Sequence, residues 1–181
     1  ALSVFAIDVD SDGDIDVLSA LFYDDTIAWY ESDGGSPPSF TMRTITTSAN
    51  GANSVFATVV RGDGDADLLP ASGHDDIAWY ESDGASPPSW TTHTITTSAD
   101  GAWSVFAIDV DSDGDIDVLS ASSNDDTIAW YESDGESPPS FTTRTITTSA
   151  DNARSVFAID VDGDGDVDAL SASSSDDTIA W

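Results

Sequence analysis

Residues 104–122 read Ser-Val-Phe-Ala-Ile-Asp-Val-Asp-Ser-Asp-Gly-Asp-Ile-Asp-Val-Leu-Ser-Ala-Ser, an acidic loop between two short apolar segments. Aspartates occupy alternate positions of this loop, and Gly114 stands sixth in a nine-residue frame that begins at Asp109. Carboxylates at this spacing repel one another unless a cation lies among them. The β-branched and small residues on either side of the loop are suited to strands. The stretch therefore predicts a metal-binding loop that joins two β-strands.

The same acidic frame occurs three times in the chain. Its spacing matches the first nine positions of an EF-hand loop, where ligands come from positions 1, 3, 5, 7 and 9 and a glycine stands at position 6. Position 7 of such a loop coordinates through its backbone carbonyl, so we expect the side chains at that position to be more dispensable than their neighbours. Hard oxygen donors on a flexible loop favour calcium over magnesium, zinc or copper. The predicted calcium ligands are Asp8, Asp10, Asp12, Asp14, Asp16, Asp109, Asp111, Asp113, Asp115, Asp117, Asp160, Asp162, Asp164, Asp166 and Asp168.

A solvated turn without any ion is the simple alternative for a single Asp-Gly-Asp run, but additional acids in three copies at a fixed phase add only repulsion to a turn. The loops also lack the bidentate glutamate of an EF-hand at position 12, where Ser19, Ser120 and Ser171 stand. We therefore expect weak binding, with a Kd of about 10⁻⁴ to 10⁻³ M as in extracellular modules. Cytosolic calcium would leave such sites empty. This places the protein outside the cell or at the cell surface.

The second copy of the loop, residues 59–67, departs from the frame. Val59 replaces the acid at position 1 and Arg61 replaces the acid at position 3, so we predict that the loop from Val59 to Asp67 is empty of calcium. Arg61 is expected to pair with Asp63 or Asp67 and to supply a fixed positive charge where the sister loops hold an ion.

An internal repeat of about 50 residues runs through the whole chain. We treat residues 1–181 as a single repeat domain with units at 3–53, 54–103 and 104–154 and a partial unit at 155–181. Each complete unit has four strand-like segments separated by turn residues, and no window has a helical period. Four short strands in a unit of this length are typical of a propeller blade. We therefore predict an all-β fold, a β-propeller or propeller segment whose fourth blade is incomplete.

The pattern resembles the FG-GAP/VCBS repeat family, the calcium-binding blades of integrin α-subunit propellers and of many bacterial surface proteins. The resemblance rests on the Asp-x-Asp-x-Asp-Gly-x-x-Asp element between strands of a tandem repeat, and it covers essentially the whole chain. The Phe-Gly and Gly-Ala-Pro signatures of the integrin subgroup are absent, so the likeness is closer to the VCBS type. The resemblance implies a calcium-stabilised propeller. We expect the missing strand of blade 4 to be supplied by closure within the chain, by another copy, or by further repeats of a longer protein.

Charge excludes several classes of partner. Thirty-five acids oppose four arginines, and the net charge is −31. Nucleic acid and anionic membranes would be repelled, and no apolar stretch approaches the roughly 20 residues of a membrane span. We therefore expect no nucleic-acid partner and no membrane insertion. The expected partners are other copies of the chain in a homo-oligomer or further repeats of the same chain, with glycans or surface proteins as further candidates.

No catalytic constellation emerges from the sequence. No serine, histidine and acid set recurs at a shared register, and nearly every acid belongs to an acidic loop or a turn, so we expect no enzyme activity. Trp90 and Trp103 break the repeat pattern and are candidates for a specific surface. The expected function is a structural, adhesive or self-assembling one. A carbohydrate-binding propeller lectin and a non-catalytic module of a larger secreted enzyme stay open as alternatives.

Overall fold

The computed structural model describes the backbone of residues 1–181 and every side chain except that of Asp75. Fifteen β-strands and one short 3₁₀ helix, Phe22–Asp24, make up the regular structure of this described chain. The strands form four antiparallel sheets, three of four strands and one of three. The all-β, propeller-like prediction with an incomplete fourth blade is confirmed. No helix in the described part of the chain is both long and apolar enough to cross a bilayer.

We call the four sheets blades 1 to 4 in chain order. Blade 1 consists of β1 (Ser3–Ile7), β2 (Asp16–Leu21), β3 (Thr26–Ser32) and β4 (Phe40–Thr46). Blade 2 consists of β5 (Ala52–Thr58), β6 (Asp67–Ser72), β7 (Asp75–Ser82) and β8 (Trp90–Ala99). Blade 3 consists of β9 (Ala102–Ile108), β10 (Asp117–Ser122), β11 (Thr127–Ser133) and β12 (Phe141–Thr147). Blade 4 consists of β13 (Ala153–Ile159), β14 (Asp168–Ser173) and β15 (Thr178–Ala180).

Within each blade the strands follow one another in chain order as an antiparallel meander. The first strands β1, β5, β9 and β13 contact their counterparts in adjacent blades, so they are the inner strands of the arrangement. One phenylalanine from each inner strand packs at a tilt against the next, with ring centroids 5.0, 5.2 and 4.5 Å apart along the series. These residues are Phe5, Phe56, Phe106 and Phe157.

The hydrophobic core lies between consecutive blades and not within any one of them. Between blades 2 and 3, Trp79 and Leu69 from one sheet pack in a cluster with Val105 and Tyr131 from the next. Equivalent clusters join blade 1 to blade 2 and blade 3 to blade 4. Blades 2 and 3 therefore use their two faces differently, one against the preceding blade and the other against the following blade.

The outward faces of the first and last blades are apolar and exposed. Val4 of blade 1 is 70% exposed, whereas its equivalent in blade 2, Val55, is 4% exposed because blade 1 covers it. On blade 4 the outward face carries exposed Phe157 and Ile159. These residue types are the ones that the three internal interfaces bury.

Candidate metal centres

Each acidic loop connects the inner strand of a blade to its second strand. The loop turns back sharply at its sixth position, where φ is +95° at Gly13, +99° at Gly114 and +97° at Gly165. This part of the left-handed region is unfavourable for residues with a Cβ, which explains why glycine recurs there. The hairpin geometry brings the ends of the nine-residue frame together.

The carboxylates at positions 1, 3 and 9 of the frame meet in three equivalent triads. In each triad one ligand oxygen per residue lies within 4.8 Å of the other two. Two oxygens that bind the same calcium ion at 2.3 to 2.6 Å are separated by at most about 5 Å, so the triads could hold a metal ion. The triads are Asp8, Asp10 and Asp16; Asp109, Asp111 and Asp117; and Asp160, Asp162 and Asp168.

Unsatisfied oxygens support a cation at these triads. The Oδ1 atoms of Asp10 and Asp109 are buried and accept no hydrogen bond from any described residue. A buried carboxylate oxygen without a partner is costly, and a divalent cation is the partner that three converging carboxylates best accommodate. Partial desolvation raises the pKa of Asp111, and the negative charge of Asp113 raises it further.

The predicted ligands at positions 5 and 7 do not take part in the triads. At position 5, Asp12 accepts a hydrogen bond from the backbone N–H of Asp14 at 2.8 Å. At position 7, the carboxylate of Asp14 lies against Gly34 so closely that a Cβ on this glycine would overlap it. The assignment of these positions as ligands stays a prediction. The equivalents in the other two loops are Asp113, Asp115, Asp164 and Asp166.

The first aspartate of each frame holds its own loop in shape. The Asp8 carboxylate accepts hydrogen bonds from the backbone N–H groups of Asp12 at 3.2 Å and Gly13 at 2.9 Å. Asp109 accepts from the N–H of Gly114 at 3.0 Å in the same way. Position 1 therefore stabilises the turn that brings the triad together.

In blades 1 and 3 the last aspartate of the frame ties the loop to the third strand. Asp16 opens β2 and is buried, and its two oxygens accept from the backbone N–H groups of Val9 at 3.1 Å and Ser32 at 2.7 Å. Asp117 makes the equivalent bonds in blade 3. Burial raises the pKa of both carboxyls, and the backbone hydrogen bonds oppose this shift.

Asp67 makes the same connection in blade 2, although its loop has lost the acids at positions 1 and 3. It accepts from the N–H of Val60 at 3.1 Å and from the N–H of Ser82 at 2.9 Å. Position 9 therefore has a structural role that does not depend on a metal ion. The sequence pattern predicted only a ligand at this position, although the retention of Asp67 in the divergent loop was a signal for this second role.

Arg61 fills the divergent loop of blade 2 with a fixed positive charge. Its Nη2 atom lies 2.5 Å from Asp63 Oδ2 and 3.0 Å from Glu81 Oε1. Of the two partners expected from the sequence, Asp63 pairs with Arg61, while the oxygens of Asp67 are used by backbone N–H groups. The second acid partner is Glu81, from the third strand.

The glutamate on the third strand lies beside the loop, a neighbour that the sequence pattern did not predict. Glu81 reaches Arg61 at position 3 of its loop, and in blade 3 the charge of Glu132 contributes to the raised pKa of Asp111. Glu132 also pairs with Arg144 on the fourth strand. The recurrence of Tyr-Glu-Ser in every complete unit was the available signal, since the chain has only one glutamate outside it.

The blades, their acidic hairpin loops and the tandem repeat define a propeller-type repeat protein. The profile of the FG-GAP-like repeat matches the chain three times, at residues 8–69, 60–120 and 109–171. The chain therefore belongs to the FG-GAP-like repeat family, as the sequence resemblance indicated. No curated protein matches it.

Proposed function

We propose that this chain is an extracellular, calcium-stabilised repeat module with a structural or adhesive role. The observation that carries the proposal is the recurrence of one carboxylate triad at the same place in three blades. At the corresponding place in blade 2, Arg61 supplies a cation from the chain itself. A positive charge is thus available at this position in every blade once calcium is bound.

Calcium would act on stability and would carry no chemistry. Three bound ions would reduce the net charge from −31 to −25 and neutralise the clusters where carboxylates are closest. Binding to the native state alone adds about 1 kcal/mol per site when free calcium is several times Kd. A module of this kind is not an enzyme, since its acids are used in loops, turns and ion pairs.

Weak sites favour an extracellular setting. Triads without a bidentate glutamate suit a Kd in the range of extracellular modules, where calcium is abundant enough to fill them. Membership of a repeat family that includes surface proteins supports the same location.

The outward faces of blades 1 and 4 support association with further blades. Val4 and Phe157 belong to opposite faces that pack together wherever two blades adjoin within the chain. We propose that these faces receive blades of a second copy or of further repeats of the same chain. Because the two faces differ, a second copy would bind head to tail, which gives a ring or an open filament.

Calorimetric titration with calcium tests the proposal. The expected result is three sites in the native chain and none in the triple variant Asp8→Asn, Asp109→Asn and Asp160→Asn. The matched triple variant Asp14→Asn, Asp115→Asn and Asp166→Asn should keep three sites, because these carboxylates lie outside the triads. A native chain that binds no calcium at millimolar concentration would overturn the proposal.

Sedimentation velocity in calcium tests the association separately. The mass should exceed that of the single 18.9 kDa chain and rise with concentration. The Val4→Asp variant should return the mass to that of one chain while it keeps three calcium sites. A native chain that stays monomeric at all concentrations would contradict head-to-tail association.

A further inference from the structure

One position of the repeat has a different residue in every unit, while the adjacent positions are nearly constant. Each unit continues with Ser-Val-Phe-Ala, yet the residue immediately before this segment is different in all four units. These residues are Leu2, Asn53, Trp103 and Arg154. An apolar, an amide, an aromatic and a cationic side chain thus stand at equivalent places in otherwise similar blades.

A β-bulge directs three of these side chains. The register of the inner strand shifts between Ala52 and Ser54 in blade 2, which leaves Asn53 without a partner on the second strand. The same shift leaves Trp103 and Arg154 unpaired in blades 3 and 4. Bulges re-aim side chains away from the ladder and are common next to binding sites.

The bulge residues line two hollows at the inner strands. Their volumes are about 390 and 240 Å³, and residues of all four blades line each of them. Asn53, Trp103 and Arg154 line both hollows. The larger hollow is within the range of small-molecule sites, about 300 to 1,000 Å³. Among the described residues no Asp or Glu lines either hollow, although the chain has 35 of them.

Two polar groups in the hollows have hydrogen-bonding capacity to spare. Asn53 is 7% exposed and donates from Nδ2 to the carbonyl of Ala102 at 2.8 Å, but its Oδ1 accepts no bond from any described residue. The buried Oγ atom of Ser54, beside it, is likewise without a partner among described residues. Buried polar atoms are normally satisfied, so both atoms point to a ligand that donates hydrogen bonds.

Arg154 adds a positive charge to the same place. Its guanidinium lies over the Trp103 ring at 4.2 Å from the centroid. The other three arginines pair with Glu or Asp, whereas Arg154 makes no ion pair with a described carboxylate. In a chain with so many acids, a guanidinium left without a carboxylate partner is available to one brought by a ligand.

We propose that the inner-strand hollow formed by Leu2, Asn53, Trp103 and Arg154 binds an acidic saccharide. The carboxylate of a uronic acid would pair with Arg154, and its hydroxyl groups would donate to Asn53 Oδ1 and Ser54 Oγ. Trp103 and Leu2 would provide an apolar wall for the sugar ring. This binding goes beyond the calcium-stabilised module and uses the end of the inner strand opposite to the acidic loop.

Titration with sodium galacturonate, followed by calorimetry in calcium and about 0.15 M NaCl, tests the proposal. The Debye length of about 8 Å at this salt concentration screens distant acids of the protein while it leaves a direct contact with Arg154 in place. Galacturonate should bind at one site, and galactose should bind at least about tenfold more weakly because it lacks the carboxylate. Arg154→Gln should abolish this preference, and Asn53→Ala should weaken both sugars.

Arg43→Gln is the matched control. Arg43 also lies over a tryptophan, Trp29, but it pairs with Glu31 on the outer strands of blade 1 and lines neither hollow. This variant should bind galacturonate like the native protein. Calcium stoichiometry is measured for every variant, so that a failed fold or a failed calcium site is distinguished from a lost saccharide site. The proposal is overturned if galacturonate does not bind to the native chain, if galactose binds equally well, or if Arg154→Gln keeps the preference.

Discussion

The guanidinium of Arg61 lies 3.0 Å from the carboxylate of Glu81, at the loop position where the sister blades carry an aspartate of the triad. Within one fold, the same place therefore accepts either a side-chain cation or a cluster of acids suited to a metal. The two solutions have different consequences, because a guanidinium is present at all calcium concentrations.

Restoring the acids of blade 2 should create a fourth calcium site. In a variant with Val59→Asp and Arg61→Asp, the new carboxylates would join Asp67 in the arrangement of the other triads. Calorimetry should count four sites in place of three. The single change Arg61→Ala is the control and should leave three sites, because it removes a cation without building a triad. Three sites in the double variant would contradict the equivalence of the loops.

Asp67 should matter for stability without any metal. Asp67→Ala leaves the buried N–H groups of Val60 and Ser82 without their partner, and each unsatisfied group costs about 1 to 3 kcal/mol. Chemical unfolding should report a loss of about 2 kcal/mol or more that is equal in calcium and in EDTA. Asp117→Ala, the matched change in blade 3, should cost more in calcium than in EDTA because it also removes a ligand. An equal cost for both variants in both conditions would refute the metal role of position 9.

Gly135 has a left-handed backbone conformation, and the carboxylate of Asp115 lies against it. A Cβ at Gly135 would overlap that carboxylate, and the backbone has φ of +64° there. Gly135→Ala should lower the free energy of unfolding by about 1 to 2 kcal/mol from the backbone alone and by more from the clash. In an Asp115→Ala background the same change should cost less, since the overlap is gone. A thermal-denaturation cycle with all four variants measures this coupling, and strict additivity would refute it.

Asp134 should make the stability of blade 3 depend on acid pH. Hydrogen bonds from the backbone N–H groups of Ser140 and Glu136 hold the pKa of this carboxyl below its usual value of 3.8. A lowered folded-state pKa means that its stabilisation is complete above 3.8 and is lost as the pH falls through the folded-state pKa. Asp134→Asn, which keeps an acceptor without the charge, should therefore reduce the loss of unfolding free energy as the pH falls.

Unfolding measured in calcium-free buffer between pH 2 and 7 checks the effect of Asp134 without the contribution of calcium. Glu136→Gln is the control, because its backbone N–H still donates to Asp134 while one exposed charge is removed. If the unfolding free energy of Asp134→Asn falls with pH as steeply as that of the native chain, the predicted role of Asp134 is contradicted.

Local features of the sequence were sufficient to predict the strands of each blade. The alternation of strand-like segments with Asp-Gly and Pro-Pro turns predicted four strands per unit, and the frame that begins at Asp109 located the hairpin loop between the first two. Turn chemistry and strand propensity act over a few residues, so they can be inferred without knowledge of the packing.

Contacts between distant parts of the chain could not be predicted from the sequence. The double hydrogen bond of Asp67, the pairing of Arg61 with Glu81 and the position of Asp14 against Gly34 each join a loop to a later strand or turn of the same blade. Which oxygen meets which N–H depends on the register of strand pairing and on loop closure. Neither follows from local propensity.

The amino-acid sequence by itself determined the repeat, the strand content of each blade and the places where carboxylates concentrate, because these depend on composition and spacing within about ten residues. Only the tertiary structure decided which carboxylates converge and which are held by backbone N–H groups. It also decided that Asn53, Trp103 and Arg154, about 50 residues apart in succession, line the same hollow. The physical reason is that the distances between these three residues depend on how one blade stacks on the next, and this stacking does not follow from local interactions.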